Sequence, residues 1–154
     1  MVAIALYQPD IPPNAAAILR LGACLGVATH IIAPAGFDPS DRAVRRAGMD
    51  YLARARIERH ADWPTFVAAA KQNAARIVLL TTRAATAYAD FAFAGGDIIL
   101  LGRESAGVPD AVHEAADARL LIPMAAGLRS LNVATAAAMV LGEALRQTKA
   151  FPHR

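Results

Sequence analysis

At 154 residues the chain is long enough for one compact domain with a real core, and no apolar run reaches the ~18 to 20 residues that a membrane span requires. The hydrophobic share is 56%, but roughly a quarter of the residues are alanine, so the excess lies in small side chains that let helices and strands approach closely. A formal charge of +3 excludes little, whereas the single cysteine, Cys24, excludes an internal disulfide; no Cys/His group has zinc spacing, and residues 2–6 lack the basic run that opens a secretion signal. A cytoplasmic protein without structural metal is expected.

Residues 2–7 read as a first strand, ended by Pro9, Pro12 and Pro13. A helix follows over about 14–25, with Pro13 suited to its start and Gly26 to its end. It carries Asn14 and Arg20, whose six-residue separation is ~9 Å along a helix axis with a large rotation about it. The two side chains therefore act together only if a substrate or a second subunit lies between them; singly, Asn14 reads as a helix cap and Arg20 as an exposed charge. Residues 30–33 form a second strand and 40–47 a short helix capped by Ser40.

Arg42, Arg45 and Arg46 share a face of that short helix, and Arg54, Arg56 and Arg59 follow closely. Such a basic patch can hold phosphates, which arginine grips bidentately; it equally suits a solvated face balanced by Asp38, Asp41, Asp50 and Glu58. Residues 56–60 form a third strand, and Asp62 caps a helix running to about 73. A buried strand at 77–80 leads into Thr81, Thr82 and Arg83, and 84–96 is loop with room for one helical turn. A strand at 98–101, a helix at 109–115 and a last strand at 120–122 complete the alternation. Continuous apolar strands separated by helices imply an α/β fold: a parallel sheet with helices on both faces.

The chemistry-bearing stretches lie at strand ends. Leu120 to Ile122 run into Pro123 and a polar loop with Gly127, Arg129, Ser130 and Asn132; a helix follows on Val133, Ala136, Ala137, Val140, Leu141, Ala144 and Leu145, with Ser130 or Asn132 as its cap. Leu101-Gly102-Arg103-Glu104-Ser105-Ala106-Gly107-Val108-Pro109 is a strand entering a glycine-punctuated turn. It is not a P-loop, because Gly107 is followed by Val108 and Pro109; not a dinucleotide turn, because Glu104 occupies the third position; and not a nucleophile elbow, because Arg103 precedes Ser105 by two. What remains is a loop that allows close backbone approach to a ligand, with Glu104 as an acceptor for a hydroxyl or amine, or else an ordinary turn with Glu104 exposed. The four histidines are scattered along the sequence, and no Ser/His/Asp order stands out.

Asn14-x5-Arg20, the Leu101–Pro109 stretch, and Ile122-Pro123-Met124 with Arg129-Ser130-Leu131-Asn132 resemble the three motifs of the SPOUT RNA 2′-O-ribose methyltransferases. Ile4 to Asn14, Arg45 to Tyr51, and Leu80-Thr81-Thr82 are similar to the small single-domain bacterial branch that methylates the wobble nucleotide of tRNA; Leu128 departs from it, where that branch often carries a polar residue. The resemblance implies one SPOUT domain over 1–154, a deep C-terminal trefoil knot, and a homodimer acting on the tRNA anticodon stem-loop with S-adenosylmethionine and no metal. It assigns Leu80, Gly102, Glu104, Ile122, Ser130 and Leu131 to the cofactor, Arg20 and Asn14 to the reaction, and Asn132 to loop support. Arg45 and Arg46, with Arg42 beside them, would meet the RNA.

Overall fold

The computed structural model describes residues 1–38 and 42–153. Its elements are β1 (Ala3–Tyr7), α1 (Pro12–Leu25), β2 (Thr29–Ile32), α2 (Arg42–Gly48), a 3-10 segment (Met49–Arg54), β3 (Ile57–His60), α3 (Trp63–Gln72), β4 (Ile77–Leu80), β5 (Thr86–Ala87), a 3-10 turn (Tyr88–Asp90), β6 (Ile98–Leu101), α4 (Asp110–Ala115), β7 (Ala118–Leu121) and α5 (Val133–Thr148). The strands form one sheet in the order β3-β2-β1-β6-β4-β7-β5, and every pairing is parallel. The chain lays down β1, β2 and β3 toward one edge, starts again at β4, and then inserts β6 between β1 and β4.

Both faces of the central strands are covered, so these strands are apolar throughout rather than alternating. Along β1, Ile4 and Leu6 face α1 and α5 with Ile18, Ile99, Leu141 and Leu145, while Ala3, Ala5 and Tyr7 face the other way with Phe66, Leu79, Leu100 and Val112. The buried Asp97 receives Arg76 through Nε and Nη2 and the Ala94 N–H, so a charge that is 1% exposed keeps its partners.

Several expectations shift. Helix α1 starts at Pro12, not Asn14, with Ile11 in the cap position and no side-chain cap bond; the early prolines suit a first turn whose N–H groups need no helical acceptor. Asn14 is therefore not a cap. The span expected to be loop after Arg83 contains β5, two residues long and too short to leave a periodic signal, followed by the 3-10 turn. The last strand begins earlier, at Ala118. Asp62 does cap α3, its Oδ1 accepting from the Thr65 N–H at 2.8 Å. The Ser40 cap lies outside the described residues.

Candidate functional site

A cavity of about 540 Å³ opens at the carboxyl ends of β4, β6 and β7, where an open parallel sheet usually holds its ligand. Leu80, Thr81 and Thr82 line it after β4, the loop from Gly102 to Val108 after β6, Ile122 and Met124 after β7, and Arg129 to Val133 at the start of α5. Leu80, Gly102, Glu104, Ile122, Ser130, Leu131 and Asn132 thus meet on one cavity. Thr81, Thr82 and Met124 line it as well; the sequence put them in the right stretches but gave no reason to select them. Leu128 is 69% exposed and does not line it.

The β6 loop owes its shape to two glycines. A Cβ on Gly102 would stand 2.8 Å from the Gly107 carbonyl carbon, and Gly107 holds φ +63°. That close approach lets Arg103 and Gly107 exchange backbone hydrogen bonds of 2.9 and 2.7 Å, closing the loop on itself. The four residues between the glycines are all exposed, so their side chains are free to face a ligand.

One hydrogen-bonded chain joins three distant segments. The Asn132 Oδ1 accepts from the Ala134 and Thr135 N–H groups at 2.9 and 3.2 Å, capping α5. Its amide must then turn Nδ2 outward, where it donates to Asn14 Oδ1 at 3.0 Å; Asn14 Nδ2 in turn donates to Glu104 Oε2 at 2.5 Å. Each amide orientation is dictated by the next, from the helix N-terminus to the carboxylate. The cap assigned to Ser130 or Asn132 is Asn132.

Asp10 was missed by sequence reasoning, although it stands in the stretch that carried the resemblance. Its carboxylate accepts from the Glu104 N–H at 3.3 Å and from the Ser105 hydroxyl, with Arg103 Nε 3.7 Å away. The Ser105 hydrogen bond, with help from the Glu104 N–H and Arg103, holds the Asp10 carboxyl below its ordinary range against the cost of burial.

Arg20 does not line the cavity; its guanidinium lies over the Tyr51 ring, 4.6 Å from the centroid. Arg42, Arg45 and Arg46 are exposed on α2, which packs with the 3-10 segment against α1. These four arginines and the cavity are thus separate features, whereas Arg103 and Arg129 do line it.

The histidines are less scattered than the sequence suggests. Parallel pairing puts His30 of β2 opposite Glu58 of β3, with His60 two residues further on, and these three offer donor atoms within 4.8 Å of one another. His30 Nδ1 and His60 Nε2 lie 2.9 Å apart while the ring centroids are 5.2 Å apart, so the nitrogens face each other along the line between the rings. That is the geometry of one shared N–H, whereas ligands to an ion converge on a third point. Glu58, 3.4 Å from His30 Nδ1, favours the proton there. Burial holds His30 below the ordinary imidazole value; Glu58 opposes this and His60 adds to it.

Residues 1–142 match the model of the SpoU rRNA Methylase family. The chain belongs to the SpoU methylase family. Among SpoU relatives, the tRNA (cytidine(34)-2'-O)-methyltransferase of Ancylobacter novellus is 59% identical over 150 residues, covering 97% of this chain and 95% of that protein. A solved structure from a study of the 2-OH methylation of C/U34 on tRNA superposes with a TM-score of 0.90 at 37% identity, covering 96% and 95% of the two chains. The SpoU methyltransferase AviRb from Streptomyces viridochromogenes, in complex with the cofactor AdoMet, gives a TM-score of 0.85 at 27% identity, covering 96% of this chain and 60% of that one.

Proposed function

We propose that this chain methylates the ribose 2′-hydroxyl of the wobble nucleotide, cytidine or modified uridine at position 34, in the tRNA anticodon loop, with S-adenosylmethionine as methyl donor. The observation that carries this is the Glu104-Asn14-Asn132 chain at the cavity, which ties together the three motif segments in a protein whose relatives bear that activity in their names. The cavity fits the donor. Its volume lies within the ~300–1,000 Å³ usual for such ligands, Leu80 and Ile122 offer apolar walls to a base, and the open space at Gly107 leaves room for close backbone approach.

When bound, S-adenosylmethionine would supply a sulfonium methyl to the ribose oxygen, with the thioether S-adenosylhomocysteine as leaving group and the hydroxyl proton passing to solvent. The chain's own task is to align and to help that proton go. Leu80, Gly102, Glu104, Ile122, Ser130 and Leu131 hold the donor; Asn14 positions the nucleotide and Asn132 supports the loops. A guanidinium is a poor base, so Arg20 grips the adjacent phosphate and polarises the hydroxyl. Because Arg20 stands off the cavity, a second subunit or the RNA itself must bring it to the reaction.

The same reading makes the chain one SPOUT domain with a deep trefoil knot in its C-terminal part, supported by the insertion of β6 between β1 and β4 and by the likeness to SpoU structures. It acts in the cytoplasm as a homodimer without metal, through α1 and α5, beside which the apolar Ile11, Leu131 and Met139 are exposed. The RNA is held by Arg42, Arg45 and Arg46.

The test is methyl transfer from labelled S-adenosylmethionine to tRNA lacking wobble methylation, with the product nucleotide mapped. Label in 2′-O-methylated nucleotide 34 is expected. Since the matching family description names rRNA, ribosomal RNA is assayed alongside, and label there but not in tRNA would replace the substrate in this reading.

A further inference from the structure

We propose that Asp10 is the positioning residue for the Glu104 loop, its carboxylate gathering one contact from each of Arg103, Glu104 and Ser105 and so fixing the loop against the turn that carries Asn14. The inference rests on the reading that this loop forms a wall of the methyl-donor site.

The loop needs such an anchor. Residues 103–106 are exposed, and the Arg103–Gly107 bonds close the loop without attaching it to anything else. Among the described residues, the polar contacts that leave it for the rest of the chain go to Asp10 and Asn14, which stand four residues apart where β1 turns into α1. Of this loop, Asn14 holds only the Glu104 carboxylate, a group on a flexible stem. Asp10 holds the backbone at Glu104 and the flanking side chains, and therefore decides where that stem begins.

Asp10 is itself well held. Its side chain is only 20% exposed, Pro9 is buried, and the Pro9 carbonyl accepts from the Gly36 N–H at 2.8 Å. Gly36 packs so closely that a Cβ there would stand 3.2 Å from the Asp10 Cα. A carboxylate is also the one side chain of this length that suits all three neighbours, because the Glu104 N–H, the Ser105 hydroxyl and the Arg103 guanidinium all donate. An amide of the same shape must turn its NH₂ toward one of them.

The test is steady-state kinetics on wild type, Asp10→Asn, Ser105→Ala and the double variant, varying S-adenosylmethionine and tRNA separately, with melting temperatures taken in parallel. For Asp10→Asn the KM for S-adenosylmethionine is expected to rise about tenfold, as loss of a charge-assisted hydrogen bond predicts, while the KM for tRNA stays put. Ser105→Ala is expected to show a smaller rise, and the double variant to be no worse than Asp10→Asn, because both remove the same link. An unmoved KM for S-adenosylmethionine, or a fall confined to kcat with a lower melting temperature, would overturn the proposal by making Asp10 merely structural. Should Asp10→Asn fail to fold, Ser105→Ala decides by the same readout. A wild type that transfers no methyl group to tRNA would instead sink the reading beneath the proposal, and the proposal with it.

Discussion

The Asn132 side chain does two separable things, and their separation shows what the hydrogen-bonded chain is for. Its Oδ1 caps α5, which any short acceptor can do; its Nδ2 donates to Asn14, which a carboxylate cannot do. Asn132→Asp is therefore expected to keep the melting temperature near wild type while turnover falls, since aspartate caps a helix well but faces Asn14 Oδ1 without a proton. Asn132→Ala loses both roles and is expected to cost about 0.5–2 kcal/mol of stability as well. Equal turnover in Asn132→Asp and wild type would detach the chain from the reaction. The contact between Arg20 and Tyr51 invites a parallel comparison. A cation over an exposed ring contributes about 0.5–1 kcal/mol, and on the proposed reading the ring also helps to orient the guanidinium. Tyr51→Phe keeps the ring and should keep turnover, whereas Tyr51→Leu should lower turnover and leave S-adenosylmethionine affinity unchanged by calorimetry. Equal turnover in the two variants would free Arg20 from its dependence on the ring.

Among the elements, the β2–β3 pair carries a pH dependence whose sign is fixed by His30. Its folded-state value lies below the ordinary imidazole value, so the folded protein takes up this proton less readily than the unfolded chain. Stability is then full above about pH 6.5 and falls as the pH drops below it, until folded His30 accepts its proton. The groups facing His30 are Glu58 and His60 on β3 and the apolar Phe66 ring from α3, which also meets His60 edge-on. Melting curves between pH 5 and 8 should show wild type losing stability on the acid side and His30→Gln doing so less; parallel curves would remove His30 as the cause.

The pair also shows what a sequence reveals and what it hides. Elements with a local signal were legible: Asp62 as a cap, the strand at Ile77–Leu80, the α5 stripe behind Asn132. The meeting of His30 and His60 was not, since it depends on which strands pair and in what register, and thirty residues separate the two rings. The same holds at the cavity. Glycines and strand ends marked the loops, but the chain linking Glu104, Asn14 and Asn132 depends on β6 standing beside β1, and α1 begins two residues ahead of Asn14 because its prolines favour that first turn. Asp10 gave no signal of its own, for its meaning lies wholly in a loop more than ninety residues away.

At the scale of the molecule, the proposed function joins cavity and basic helix through the RNA and a second copy. Replacing Arg45 and Arg46 with glutamine should weaken tRNA binding and lower the slope of log affinity against log salt by about one per lost phosphate contact; an unchanged slope would leave those arginines on a solvated face. The proposed dimer can be tested through the stand-off of Arg20 from the cavity that Glu104 lines. If Arg20 serves its own subunit, a mixture of Arg20→Ala and Glu104→Ala chains has no intact site in any pairing. If it serves the partner, the mixed dimer has one: the Arg20→Ala subunit offers its intact Glu104 loop and receives Arg20 from the other chain. Co-refolding the two inactive variants should therefore restore about a quarter of wild-type sites, because random pairing of two subunit types makes half the dimers mixed and each of those has one good site of two. Persistent inactivity in a mixture shown to contain mixed dimers would place Arg20 and Glu104 in the same subunit, and the RNA would then have to bring them together.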